Sequence, residues 1–321
     1  MFKKYNKKKE KNQVMEKLVK KHVSPNRHRV IRECCSWMNL IADEDVIKTK
    51  VNNANSCKCR LCPVCAGKIA KSDAFKISVM ERYIEEECNK AFIMVTQTAP
   101  NVKGDMLKQE ITKFNRKFNK AFLCYEEIKG MNYGYIRKLE VTYNSEKIIT
   151  YDMWHGTKYR KPGEEKYRML GLEIGDPNPD YDTYHTHFHV IFAVDKYYFK
   201  SRKYIKRDKW LKYWQDAMQD ERITQVFVER AGRNSKFGKE MGKYIAKDSD
   251  YLYSQGVFDV FFKSFQNRQV ITYGGIFKEA KKKFKAKELD HYIDEDLTEY
   301  VYSLMVVWGY GKYVEIDRTE L

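Results

Sequence analysis

Three of the chain's seven histidines stand at alternate positions in the stretch Tyr184–Val194, YHTHFHVIFAV. Alternate side chains of a strand share one face, so His185, His187 and His189 line up roughly 6.5–7 Å apart. Neutral imidazole is the commonest side-chain metal ligand, and two neighbouring rings can converge on one ion. The pattern predicts a metal or phosphate site at the start of a strand that turns wholly apolar from Val190 to Val194. A second cluster is Cys57-Lys-Cys59-Arg-Leu-Cys62-Pro-Val-Cys65, with Cys34-Cys35 upstream. Cys62-x-x-Cys65 has the spacing of a structural zinc knuckle, which needs two more thiolates for a tetrahedral site. Cys35, Cys57, Cys62 and Cys65 are the expected ligands, with Cys34 and Cys59 as alternatives. Nothing around the motif resembles a thioredoxin-type βαβ unit, which weighs against a redox role. Cys88 and Cys124 stand alone and read as buried apolar residues.

The third group lies in KEMGKYIAKDSDY, Lys239–Tyr251. On a helix, Glu240, Lys243, Tyr244 and Lys247 fall at i, i+3, i+4 and i+7, which is one face. Alone, such a face is an ordinary surface helix with an ion pair. Beside a histidine metal site it fits transesterification at a DNA phosphodiester, with Tyr244 attacking phosphorus. A phenol with an ordinary pKa of about 10 is a poor nucleophile at neutral pH and needs help. Lys243 and Lys247 would favour the phenolate and hold adjacent phosphates, and Glu240 would orient or deprotonate a later water or hydroxyl nucleophile. Tyr251, seven residues on, is an alternative second nucleophile.

Composition narrows the partner. The 321 residues carry 61 Lys and Arg against 44 Asp and Glu, a formal charge of +17, which points to a polyanion. Residues 1–32 hold twelve of those cations and two Glu, and read as a basic arm or helix contacting phosphates. Lys20, Lys21, Arg27, Arg29 and Arg32 are its expected DNA contacts. With 43% hydrophobic and 14% aromatic residues the chain can bury a core, despite a mean hydropathy of −0.70. No apolar run approaches the roughly 18–20 residues of a membrane span, and no apolar stretch follows the N-terminal charges as in a secretory signal. A cytoplasmic location is expected, where cysteines serve as thiolates and metal ligands rather than in disulfides.

Several elements must position these groups. A helix is expected from Ile69 to about Glu87, then a strand over Ala91–Thr98. Leu107, Ile111, Phe114 and Phe118 form an amphipathic stripe. A strand follows over Tyr133–Tyr143, and residues 145–165 read as a loop. GDPNPDYD, Gly175–Asp182, delivers the chain into the histidine strand. Trp210, Leu211, Trp214 and Met218 keep helical spacing, and Ile223–Val228 alternates as a strand. The order β-α-β-β-α-β-α suits an α+β fold, helices packed on a central antiparallel sheet.

Taken together, these motifs resemble the rolling-circle replication initiator (Rep) proteins of small bacterial plasmids, within the HUH endonuclease superfamily. The signature of that superfamily, His-hydrophobic-His before apolar residues, is matched by His187-Phe188-His189-Val-Ile-Phe-Ala-Val. The single-tyrosine branch pattern Glu-x-x-Lys-Tyr-x-x-Lys is matched by Glu240, Lys243, Tyr244 and Lys247. Phe92–Thr98 is similar to the branch's Thr-rich strand, with Met94 where that branch commonly has Thr. RKLEVTYN (Arg137–Asn144), ITYGGIFKEAKKK (Ile271–Lys283) and CKCRLCPVCAGKIAKS (Cys57–Ser72) extend the likeness from about residue 30 to the C-terminus.

The resemblance implies a ferredoxin- or RRM-like sheet, with residues 71–270 as the endonuclease domain. Residues 33–70 would be the zinc element, and 271–321 a C-terminal extension; apart from the resemblance, the charged and aromatic alternation after about Lys283, YVYSLMVVWGYGKYVEI, reads as a closing hairpin or an origin-reading surface. The resemblance implies sequence-specific nicking of one strand at a double-strand origin, on single-stranded or hairpin DNA. The products are a 5′-phosphotyrosine on Tyr244 and a free 3′-hydroxyl, which host helicase and DNA polymerase would use; Glu240 would serve termination. It implies a third metal ligand from a neighbouring strand, for which Glu140 fits and His185 is the alternative. His-plus-carboxylate ligation suits Mn²⁺ or Mg²⁺ there, beside a structural Zn²⁺ on the cysteines. A homodimer would let two subunits act in sequence. The competing readings are a histidine-triad nucleotide hydrolase, which lacks the lysine–tyrosine helix, and a non-catalytic zinc-containing DNA-binding regulator, which would bind without cleaving.

Overall fold

The computed structural model describes residues 2–157, 163–231 and 246–321. The basic segment of residues 1–32 takes the helical of its two expected forms, as helices α1 (Lys3–Val19) and α2 (Pro25–Arg32). Pro25 opens α2 at its first position, and the Ser24 hydroxyl accepts from the Arg27 amide at 3.4 Å. What ties α1 down is a stripe at i, i+3 and i+7: Asn12, Met15 and Val19 are fully buried. That stripe is easily overlooked among so many lysines. Strands β1 (Trp37–Ala42) and β2 (Thr49–Ala54) follow, then helix α3 (Pro63–Glu86). The helix starts six residues before the expected Ile69, because Pro63 again fits a first helical turn.

The central sheet is built from β3 (Lys90–Thr98), β4 (Gly134–Asn144), β5 (Thr183–Asp195), β6 (Val226–Ala231) and β7 (Ile271–Gly275), in the order β6-β3-β5-β4-β7. Every neighbouring pair is antiparallel. Helix α4 (Gly104–Lys120) and the short α5 (Glu126–Met131) join β3 to β4. The segment read as a loop over 145–165 contains short helices, α6 (Tyr151–His155) and the start of α7 (Glu164–Met169). Helix α8 (Arg207–Met218) joins β5 to β6. The first four strands thus follow the βαββαβ pattern with order β6-β3-β5-β4, which is the ferredoxin-like arrangement. The α+β class and antiparallel sheet are as expected. Helices α9 (Asp248–Tyr251), α10 (Gln255–Phe265) and α11 (Ile276–Lys285) complete this part.

The two faces of the sheet differ. On one, Val95, Leu139, Phe188, Val190 and Phe192 pack against α4 and α8. The α4 stripe of Leu107, Ile111, Phe114 and Phe118 is fully buried there, with Phe114 4.6 Å from Phe188 and 5.0 Å from Trp214 between ring centroids. Each such side chain contributes about 1.5–3 kcal/mol on burial. On the other face, Phe92, Ile136, Ile191 and Ala193 are covered by α3 and α11, while the far half carries Thr96, Thr98, Glu140, His187 and His189. A single strand therefore changes from core to polar between Ile191 and His189.

Residues after 270, expected as an extension, first supply β7 and α11 to the central sheet. They end in the hairpin β8 (Tyr302–Gly309) and β9 (Lys312–Glu320), which joins the N-terminal strands in a second antiparallel sheet, β2-β1-β8-β9. Buried Met38 and Leu40 pair with buried Val306 and Leu304. Tyr310 and Gly311, with φ of 53° and 76°, make the two-residue turn whose twist matches the strands. Among the described residues, no helix is long and apolar enough to cross a membrane.

Candidate metal centres

Strand register assembles the first centre. His187 pairs with Glu140 on β4 and Thr98 on β3; His189 pairs with Lys138 and Thr96. Paired residues of antiparallel strands share a face, so all six side chains converge. One Glu140 oxygen lies 3.1 Å from His189 Nε2 and 3.8 Å from His187 Nε2. One ligand atom from each of the three residues lies within 4.8 Å of the others. The structure thus joins Glu140 to the histidine pair and leaves His185 outside the group, although its ring centroid is 5.3 Å from that of His187.

The donor set fits a divalent cation. Burial acts to raise the pKa of Glu140, but hydrogen bonds from His187 and His189 and the Lys138 ammonium at 4.0 Å outweigh it and hold the carboxyl well below its usual range. An ionised carboxylate beside two imidazoles is an oxygen-and-nitrogen site open to Mn²⁺, Mg²⁺ or Zn²⁺. His189 Nδ1 lies 3.2 Å from the Thr96 hydroxyl, which can donate to a bare nitrogen or accept from an N–H and so serves either tautomer. His187 Nδ1 is buried without a partner among the described residues. His185 is pushed down to about 4 by burial first and by His187 second, so it stays neutral near pH 7.

The second centre is the cysteine cluster. Cys34, Cys57, Cys62 and Cys65 are buried with their sulfurs within 4.8 Å of one another. Neighbouring sulfurs stand 3.5 Å (Cys34–Cys65), 3.6 Å (Cys57–Cys65) and 3.7 Å (Cys34–Cys62) apart. Four converging thiols match a tetrahedral zinc site. Here the expected set is corrected: Cys34 takes the place given to Cys35. Cys35 has a left-handed φ of 50°, its amide donates to Asn55 O, and its carbonyl accepts from Tyr313. Cys59 is likewise outside the cluster. Cys124 is exposed and Cys88 half-buried, so neither is the buried residue expected.

Residues 48–310 match the family described as Replication protein. The chain belongs to this family. It is 37% identical over 251 residues to Protein rep of Staphylococcus aureus, covering 78% of this chain and 94% of that protein. Protein rep of Bacillus amyloliquefaciens is 27% identical over 317 residues (88% and 82% covered), and that of Lentilactobacillus hilgardii 27% over 303 (88% and 85%). No solved structure matches significantly. The resemblance to Rep initiators of rolling-circle plasmids, read from the motifs, is borne out.

In this Rep protein the remaining site residues are unevenly placed. Glu240, Lys243 and Tyr244 lie outside the described residues. Lys247 is exposed just before α9. Tyr251 is 2% exposed, packed edge-on against Phe261, which removes it as a ready nucleophile. Lys20, Lys21, Arg27, Arg29 and Arg32 are all on the surface, but Lys21 pairs with Asp259 at 2.5 Å and Arg32 faces Glu33 at 3.6 Å. Lys138 and Thr96 were missed by sequence reasoning. Strand alternation puts Lys138 on the Glu140 face, a signal present in Lys138-Leu139-Glu140, whereas Thr96 needs the β3–β5 register.

Proposed function

We propose that this Rep protein nicks one strand of plasmid origin DNA through Tyr244, using the Glu140–His187–His189 centre. The carrying observation is that triad: an ionised carboxylate and two imidazoles converge on the open half of a sheet face. Support for Tyr244 comes from the chain beside it. Ala246, two residues on, is 1% exposed, and the Asp250 carboxylate accepts from the Tyr143 amide at 3.1 Å, on the strand that carries Glu140. Burial raises the pKa of Asp250, and the Glu140 charge adds to the rise, as expected for neighbouring acids.

The phenolic oxygen of Tyr244 attacks the scissile phosphorus as its proton passes to a base. The bond from phosphorus to the 3′-oxygen breaks, and that oxygen takes up a proton as the free 3′-hydroxyl. The 5′-phosphate stays esterified to Tyr244. A divalent ion held by Glu140, His187 and His189, Mn²⁺ or Mg²⁺ in this reading, would polarise the phosphate and offset its growing charge. Lys243 and Lys247 hold the flanking phosphates. Glu240 directs the later water or hydroxyl that releases the protein. Host helicase and polymerase then extend from the 3′ end, with the protein in the cytoplasm, alone or as a homodimer.

Incubation with a hairpin origin oligonucleotide and Mn²⁺ tests the reading. A covalent adduct is expected, absent with EDTA and in His187→Ala and His189→Ala, both of which still bind duplex. Adduct formation at the wild-type rate in EDTA would overturn it. Attachment through a histidine would instead point to histidine-triad chemistry, and binding without cleavage to a regulator.

A further inference from the structure

Away from the triad, a cleft of about 330 Å³ opens between α1, the β1–β2 hairpin and the first turns of α3. That lies at the small end of organic-ligand pockets, roughly 300–1,000 Å³. Cys35 and Cys65 lie along it, so the thiol cluster helps to set its shape. Ala54, Ser56 and Gly67 leave the space open. Four lysines line it: Lys8, Lys50, Lys68 and Lys71, the last two one turn apart on α3. Lys50 is held by Asp296 at 2.9 Å; no carboxylate among the described residues pairs with Lys8, Lys68 or Lys71. Like charges gathered without counter-charges attract an anion.

Two rings complete the walls, Tyr5 and Tyr300. The Tyr300 hydroxyl donates to Asp296 at 3.0 Å, which fixes that ring at the cleft. Cations that track a backbone, beside rings on which bases stack, are the chemistry of single-stranded nucleic acid sites. A duplex, its bases already stacked, has no use for the rings.

We propose that this cleft takes an unpaired nucleotide of the single-stranded or extruded DNA. Its base lies against Tyr300 and Tyr5, and its neighbouring phosphates meet Lys8, Lys68 and Lys71. The inference rests on the nicking reading for its ligand and adds a holding site made of other residues.

Fluorescence anisotropy of the full chain with a labelled oligo(dT) 20-mer tests it. The double variant Lys68→Ala/Lys71→Ala should weaken binding at least tenfold near 0.1 M salt and lower the salt slope by about 1.4, two single-strand phosphate contacts. Tyr300→Leu should weaken it about 5- to 100-fold. Lys108→Ala/Lys113→Ala, an equal loss of charge on the exposed side of α4, should change it far less. Circular dichroism and zinc content confirm folding. Binding equal to wild type, a loss no greater than in the α4 control, or the same loss on duplex of equal length would each overturn the proposal. The adduct assay at saturating oligonucleotide separates the two readings. Adduct with unaltered Lys68→Ala/Lys71→Ala binding sinks the cleft alone; cleft-dependent binding without any wild-type adduct sinks the nicking alone.

Discussion

At the level of single residues, the histidine strand combines two protonation problems. His187 and His189 face an acid that stays ionised, while His185 sits beside them neutral. Because the folded pKa of His185 is depressed to about 4 from 6.5, the unfolded chain binds more protons between those values. Stability therefore falls as pH drops through that window, by about 3 kcal/mol in all. His185→Gln should flatten the acid limb of a urea-melt stability curve between pH 6.5 and 4; an unchanged limb would place the titration elsewhere. Thr96→Val should lower Mn²⁺ affinity about 10- to 100-fold by calorimetry, since a metal-bound imidazole depends on the partner of its other nitrogen. Alternation made His187 and His189 legible in the sequence, and Glu140 entered only through the family resemblance. Thr96 was not legible, because which strand lies beside β5, and in what register, is a tertiary fact.

Among the elements, the N-terminal helices and the cysteine cluster hold one another. Lys9, 2% exposed, donates from α1 to the carbonyls of Cys34 at 2.6 Å and Arg32 at 3.0 Å, and Asn12 Nδ2 reaches Cys62 Sγ at 3.4 Å. Burial lowers the pKa of Lys9, and the surrounding cysteine sulfurs oppose that shift. A buried ammonium so placed would offset the charge of four thiolates, were zinc bound there. Lys9→Met should cost about 2 kcal/mol in the zinc-loaded protein, as the buried Cys34 carbonyl and the part-buried Arg32 carbonyl lose their donor, read by chemical denaturation. Cys34→Ser should abolish stoichiometric zinc in purified protein, whereas Cys35→Ser should keep it; the opposite pair of results would restore the spacing-based assignment. Spacing alone cannot choose between adjacent cysteines, whose side chains diverge with the backbone, and the left-handed turn at Cys35 makes the choice. Helices α4 and α8 were legible from their apolar periodicity. Helix α1 was legible only as one alternative for the basic segment, since its buried stripe is narrow and one member is Asn12.

For the whole molecule, the chain's ends meet: the C-terminal hairpin completes the sheet begun by β1 and β2. The charged and aromatic alternation of Tyr300–Ile316 made a hairpin legible as one of two alternatives, and β8 and β9 form it; its partner sheet was not legible, because that pairing spans the length of the chain. Truncation after Asp296 should therefore release zinc and lower the melting temperature, through loss of the buried pairs at Met38 and Leu40; unchanged zinc content would show the two sheets to be independent. The charge of +17, by contrast, is legible at once and predicts DNA binding that weakens steeply with salt. The deciding measurement is peptide mapping of the covalent protein–oligonucleotide product by mass spectrometry. The account predicts a single modified peptide carrying a 5′-phosphodiester on Tyr244, and no product from Tyr244→Phe. An adduct on any other residue, or one formed at full rate by Tyr244→Phe, would contradict it.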